Sequence, residues 1–411
     1  MNLFALSWNY IKSKPLNTLL NTVLMALGIA IILVLILLST QLDENLRKNQ
    51  KGIDLVVGAK GSPLQLILAN VYHIDFPTGN IKLEEAKNLS RNRLIAQAIP
   101  MALGDNYKGF RIVGTNHDFV KLYEGELAQG KLWKRNMDVV IGAQVAKKLG
   151  MDVGDSFFGA HGLSVADMAH EEVAYQVIGI MAPNNSVLDN LIMTNIESVW
   201  AVHEHEDEEH EHEEPELGTA YETGFPEGEE DKEITSMLLK FRSPMGAVTL
   251  PRMINANTNM QAASPAFETQ RLFSLLGIGV DLLKAFAAII IIIAGLSIFI
   301  SLYNALKDRK YDLAIMRSLG ASRAKLFVHV ILEGVIITVL GGGMGFLLGH
   351  GLTEFLAGMY ENSDDIGLTG LVFVNQEWIV VLISIGIGFV ASLIPAINAY
   401  KTNISEVLAK E

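Results

Sequence analysis

The 411-residue chain contains no cysteine, which excludes a disulfide framework and thiolate metal sites. That absence is compatible with an oxidising compartment but does not establish one. There is no G-x-x-x-x-G-K-[ST] run, and Gly58-Ala59-Lys60-Gly61 is too short to wrap a phosphate. There is no basic stripe with interleaved aromatics, so nucleic acid is not expected as a partner. Ser, His and Asp occur without a recognisable nucleophile–base arrangement or carboxylate dyad, so the chain does not read as a self-contained enzyme.

What is present is apolar. Half of the residues are hydrophobic, and the mean hydropathy of +0.30 is high for a soluble protein. The net charge of -13 is unevenly spread: much of the acid lies between Glu204 and Glu233, while the bases cluster beside apolar runs. Leu16 to Thr40 carries no charge and is long enough to cross a bilayer, for which about 20 apolar residues suffice. It exceeds the length of a signal-peptide core and lacks a small-x-small exit, so a retained anchor is expected. Before it, Phe4, Trp8 and Ile11 fall at helical spacing opposite Asn2, Asn9 and Lys12, a pattern for an interfacial helix ended by Pro15. Further apolar runs cover Leu282 to Leu306, Leu326 to Met359 and Trp378 to Ala399.

The expected organisation is one span, a large hydrophilic insert and three more spans. By residue, it comprises an amphipathic segment (1–15), span (16–40), insert (41–279), span (280–306), basic segment (307–325), span (326–359), loop (360–377), span (378–400) and tail (401–411). Lys12, Lys14, the basic segment and Lys401 fall on one side; Glu354, Glu361, Asp364, Asp365 and Glu377 fall on the other. The positive-inside rule then places both termini in the cytoplasm and the insert outside.

The insert has strand-like runs at Ile53–Val57, Phe110–Val113, Asp138–Ile141 and Ala174–Ile178, with helical stretches at Ser62–Val71, Gln144–Leu149 and Asn195–Val202. A mixed α/β module of two lobes is expected, with a turn at Pro183–Ser186 and a low-complexity tract at 203–233. In that tract His203, His205, His210 and His212 alternate with carboxylates. Imidazoles of this kind suit Zn, Cu or Ni, and a solvated acidic loop is the alternative. His161 and His170 are further candidate ligands, although turn histidines are the commoner case. Gly341, Gly345 and Gly349 share one face of the third span and permit close helix approach. Gly386, Gly388 and Ala391 are expected to do the same in the fourth. Lys284 is expected to snorkel to the interface.

The basic segment KDRKYDLAIMRSLGASRAK (307–325) is the most informative stretch. Six cations alternate with Leu313, Ile315, Met316 and Leu319, giving an amphipathic handle for a soluble partner. Gly320 is placed to end one short helix and Ser322 to cap the next.

Arg309-x-x-Asp312-Leu313-Ala314-Ile315-Met316-Arg317-Ser318-Leu319-Gly320-Ala321-Ser322 resembles the coupling segment of FtsX-like permeases, the MacB/LolC/LolE type of ABC transporter, also called type VII. Ile394-Pro395-Ala396-x-x-Ala399-Tyr400 resembles the end of their last span. Asp138-Val139-Val140-Ile141-Gly142 with Ala146-x-x-Leu149-Gly150-x-x-x-Gly154-Asp155 is similar to their MacB-like periplasmic core domain. The resemblance implies four transmembrane helices in a one-plus-three order, with a periplasmic α/β domain between the first and second. It implies a multi-pass protein of the bacterial inner membrane, in contact with lipid. It also implies a second permease copy, identical or paralogous, and a cytoplasmic ABC ATPase that binds ATP and Mg as a separate polypeptide. Arg309, Asp312, Arg317, Gly320 and Ala321 would serve ATPase coupling, and helix movements would be transmitted to the periplasmic domain. The chain itself would hold no cofactor; the His-rich loop falls outside the family pattern, so zinc there is expected from its histidines alone and not as a catalytic metal. A periplasmic protein or lipoprotein would be the cargo or partner. The rival expectation is a membrane-anchored regulator that activates a cell-wall hydrolase without transport.

Overall fold

The computed structural model describes residues 3–159, 174–204, 222–227, 231–359 and 368–401. These residues form two compact units, one drawn from 1–42, 275–363 and 368–411, the other from 43–274.

The first unit is helical. After α1 (Leu3–Ser13) the chain turns at Lys14, and Pro15 opens α2 (Pro15–Asn49). Proline suits that position because the first turn leaves its N–H groups unbonded in any case. The later helices are α9 (Pro265–Asp308), α10 (Lys310–Ser318), α11 (Arg323–Met359) and α12 (Glu377–Lys401). Among them α2, α9, α11 and α12 are long and apolar enough to cross a membrane. The 44 residues of α9 extend about 66 Å at the usual rise per residue, well beyond a hydrocarbon core of about 30 Å. Both α2 and α9 therefore run past their apolar stretches as helix.

The helical unit packs through three apolar clusters. Met25, Ile29 and Leu33 of α2 meet Ile291 and Ala294 of α9 and Val380 of α12. Ile11 of α1 meets Ile298 and Leu302 of α9 and Ile336 and Ile337 of α11. Leu313 of α10 meets Leu326 and Val330 of α11 and Ala396 and Ala399 of α12. Small residues let the backbones approach. A Cβ at Gly345 would lie 2.7 Å from the Ala26 carbonyl oxygen, and one at Gly341 or Gly349 would lie 2.8 Å from Met25 or Leu33. Gly388 similarly faces Thr338 of α11, but a Cβ at Gly386 would meet nothing within 4 Å. The expectation that Gly386 packs like Gly388 is thus corrected: their two-residue offset turns them to different faces of α12.

The second unit is mixed α/β. One sheet follows the order β12-β1-β11-β3-β4-β9-β6-β8-β5, ending at β5 (Leu127–Gly130), with β7 (Ser156–Phe157) on β8, and β10 (Glu233–Ile234) pairs separately with β2 (Ile81–Lys82). The central strand β3 (Ile95–Tyr107) is shared. Its first part pairs with β11 (Ser236–Phe241), and from Ala102 onward it pairs with β4 (Phe110–Gly114), with an irregularity between Leu103 and Asn106. On one side, β1 (Leu55–Ala59) lies antiparallel between β11 and β12 (Met260–Ala263). On the other, β9 (Leu191–Thr194) runs parallel to β4, and β6 (Asp138–Ile141) runs parallel to β8 (Tyr175–Met181). The expected two lobes are therefore two ends of one sheet path joined through β3. The helices include α3 (Pro63–Asn70), α6 (Ala143–Leu149), α7 (Ile196–Glu204) and α8 (Met245–Asn257).

Ser186 caps a single 3-10 turn, Val187–Asn190, its hydroxyl accepting the Leu188 N–H at 3.3 Å, and β9 follows. One local expectation changes. The low-complexity tract does not extend to residue 233 as free loop. The His117 N–H donates to the Glu222 carbonyl at 3.0 Å, Phe225 packs on the apolar core, and Glu233–Ile234 forms β10.

Candidate functional site

The basic segment 307–325 folds as the end of α9, α10, a four-residue break (319–322) and the first turn of α11. The Leu313 side chain is buried against α11 and α12, and Ala314 beside it is also buried. This burial fixes the rotation of α10, so Tyr311, Asp312, Ile315 and Leu319 are exposed, Leu319 at 82%. Gly320 follows with φ +97°, a left-handed conformation that costs glycine no Cβ clash. The Ser322 hydroxyl then accepts the Lys325 N–H at 3.3 Å and starts α11. The result is a short helix clamped on one side and open on the other.

Behind α10 lies a polar network. The Arg309 guanidinium is turned inward, its side chain 12% exposed, with Nη1 3.3 Å from Glu333 Oε1. Nη2 donates to the Tyr10 carbonyl and to the Ser13 hydroxyl, each at 3.4 Å, and the guanidinium carbon lies 4.0 Å from the Tyr10 ring centroid. Ser7 is hydrogen-bonded to His329 Nδ1 at 2.8 Å, and the Tyr10 and His329 rings pack 5.4 Å apart. Burial raises the Tyr10 hydroxyl above the ordinary phenol range; Asp312 and Glu333 add to the rise and Arg309 opposes it. These contacts fasten α1 and the α9–α10 junction to α11. A buried ion pair adds little net stability, but loss of one partner strands the other charge at a cost of roughly 3–5 kcal/mol. Lys14 and Asp308 also meet, at 2.6 Å, but this pair is exposed, and solvent screens most of its attraction.

The five residues expected to serve coupling thus occupy different settings. Arg309 is turned inward, Asp312 and Gly320 are exposed, and Arg317 and Ala321 are half-buried. Sequence reasoning passed over Tyr10, His329 and Glu333. A usable signal existed for the last two, since an ionisable residue inside an apolar run is a reason to look for a buried partner.

The metal expectation falls largely outside the described residues. His203 lies in the last turn of α7, while His205, His210, His212, His161 and His170 are not among the described residues. Among the described residues no group of three or more His, Asp or Glu is placed to hold a metal.

The second unit has its own buried polar set. The Tyr72 hydroxyl donates to the Leu46 carbonyl at 3.3 Å and is hydrogen-bonded to Thr269 at 2.8 Å. It thereby joins the end of α2 to the start of α9. Burial raises the Tyr72 hydroxyl, and the Thr269 bond partly offsets the rise. Next to it His73 has φ +57° and two ring nitrogens without partners. Burial, with Arg111 adding, lowers its pKa to about 3.

Family models match most of the chain. The MacB-like periplasmic core domain matches residues 18–224, and the FtsX-like permease C-terminal segment matches 284–404. The chain is similar to a lipoprotein-releasing system transmembrane protein, LolC, of Neisseria meningitidis serogroup B. It is 23% identical to that protein over 67% of this chain and 65% of the relative. It is also similar to a macrolide export ATP-binding/permease protein, MacB, of Shewanella oneidensis. There the identity is 21% over 77% of this chain and 46% of the relative. The chain therefore spans less than two thirds of the length of either. A crystal structure of the periplasmic region of MacB from Actinobacillus actinomycetemcomitans aligns at 13% identity with a TM-score of 0.33. That alignment covers 55% of this chain and 97% of the other.

Proposed function

Because this chain belongs to the family with a MacB-like periplasmic core domain and an FtsX-like permease C-terminal segment, we propose that it is the membrane subunit of an ABC transporter driven by a separate cytoplasmic ATPase. In this reading two permease copies, identical or paralogous, sit in a bacterial inner membrane with both termini and α10 in the cytoplasm. ATP and Mg are bound by the ATPase. Its movements pass through α10 into α9 and α11, and from the spans into the domain between α2 and α9. The work done is export, lipoprotein release or control of an envelope process, in keeping with the printed names of LolC and MacB.

The observation that carries the proposal is the geometry of α10. Leu313 is held by two spanning helices, with Ala314 buried beside it, while Tyr311, Ile315 and Leu319 lie exposed. An exposed apolar row beside cations is a surface for a partner protein, and its rigid attachment lets the partner's motion reach the spans. The test is co-purification with a lone ABC ATPase and measurement of ATP hydrolysis in the complex. Leu319→Glu and charge reversal at Arg317 are expected to reduce complex formation at least tenfold while the external domain stays folded. Unchanged binding and hydrolysis would overturn the reading. Intact ATPase binding with capture of an envelope enzyme, and no cargo moved, would favour the non-transporting regulator.

A zinc link belongs to the same proposal. Four of the ten histidines, His203, His205, His210 and His212, lie within ten residues, interleaved with carboxylates. Zinc titration of the full chain beside the four-alanine variant tests it. Binding at micromolar affinity or tighter, lost in the variant, is expected; equal binding in both would remove the metal role.

A further inference from the structure

The helical unit contains a cavity of about 460 Å³ bounded by α2, α11, α12 and residues 373–375. Its walls include Ile29, Leu33, Val339, Phe346, Phe373 and Val381. The space exists because α11 presents glycines there. Gly342 and Gly343 both line it, and a Cβ at Gly343 would meet nothing within 4 Å. The cavity is partly open toward the surface of the helical unit, where Phe373 and Trp378 are exposed, and an apolar recess of this size does not hold water well. Its walls belong to helices long and apolar enough to cross a membrane, so the medium available to fill it is hydrocarbon.

One end of the cavity is polar and acidic. Glu377, its side chain 5% exposed, accepts the Val374 N–H at 3.0 Å and lies 3.4 Å from His350 Nε2. No lysine or arginine occurs between Lys325 and Lys401. An anionic headgroup would find no lysine or arginine from this stretch, whereas a cationic one would find the Glu377 carboxylate, which lines the cavity. Trp378 and Phe373, 72% and 73% exposed, lie at the same end. Aromatic side chains of this kind mark the level of lipid headgroups.

We propose that this cavity binds one acyl chain of an amine-bearing phospholipid, with the amine held at the Glu377 end and the chain lying between α2, α11 and α12. The site is independent of α10 and of any ATPase.

The test uses the full chain reconstituted in nanodiscs with phosphatidylethanolamine carrying a photoactivatable acyl chain, beside phosphatidylglycerol with the same chain. Phosphatidylethanolamine is expected to label Val339–Phe346 and Trp378–Ile385 several-fold more than phosphatidylglycerol does. Filling the cavity by Gly343→Leu is expected to reduce that labelling about tenfold and to leave labelling at Leu347, which is 74% exposed, unchanged. Val339→Trp fills the same space from another wall and serves if the glycine variant does not fold. Labelling insensitive to both variants, or equal for the two headgroups, would overturn the proposal. Efficient disulfide pairing between copies carrying Val381→Cys would overturn it in favour of a second copy as the occupant.

Discussion

At the scale of single residues, the decisive side chains are polar groups inside apolar surroundings. Glu333 and His329 interrupt a run that is otherwise suited to a bilayer, and each is matched by a partner from elsewhere in the chain: Arg309 for the first, Ser7 for the second. The sequence shows that such residues exist but not which partner each finds, because Ser7 and His329 lie 322 positions apart. His73 carries a prediction at this scale. Its pKa is lowered from 6.5 to about 3, first by burial and then by the Arg111 charge. As pH falls below 6.5 the unfolded chain takes up a proton that the folded chain refuses until about pH 3. Stability from this group is therefore full above pH 6.5 and declines through that window. Unfolding of the full chain in detergent, followed through the fully buried Trp133, should show a loss of roughly 1–2 kcal/mol between pH 7 and pH 5. His73→Asn, which tolerates the φ of +57°, should remove most of that loss. An undiminished pH dependence in the variant would assign it to other groups.

At the scale of elements, composition and period carried far. The apolar runs, Pro15 at the start of α2, Gly320 after α10 and Ser322 before α11 each state a local rule that neighbouring residues do not contradict. Strand limits were less legible. β1 begins at Leu55, two residues after the start of the expected run, because a buried run of Ile, Leu and Val has no period of its own to fix its ends. The glycine stripe of α11 gives a prediction. Gly345→Ala sets a methyl 2.7 Å from the Ala26 carbonyl oxygen, a backbone atom that yields only if α2 and α11 separate. The expected cost is roughly 1–3 kcal/mol, read as a lower melting temperature in detergent. Gly386→Ala meets open space and should stay within about 0.5 kcal/mol of the parent. Equal shifts for the two variants would mean that α2 does not lie on the Gly345 face.

At the scale of the whole molecule, the sequence by itself determined what solvent each part must face. Runs of apolar residues longer than about 20 commit four segments to a bilayer, and alternating strands and helices with glycine turns commit the insert to an α/β fold. These outcomes depend on local chemistry summed along the chain, so they can be read without coordinates. The tertiary structure decided what depends on distant residues meeting. It turned Arg309 inward to Glu333 and left Leu319 outside; it joined Leu46 to Thr269 through Tyr72. It ran both ends of the sheet through β3 and left a partly open cavity where Gly343 faces empty space. Sequence states which groups need burial or a partner. Which partner satisfies each need is fixed only when packing brings together elements hundreds of residues apart.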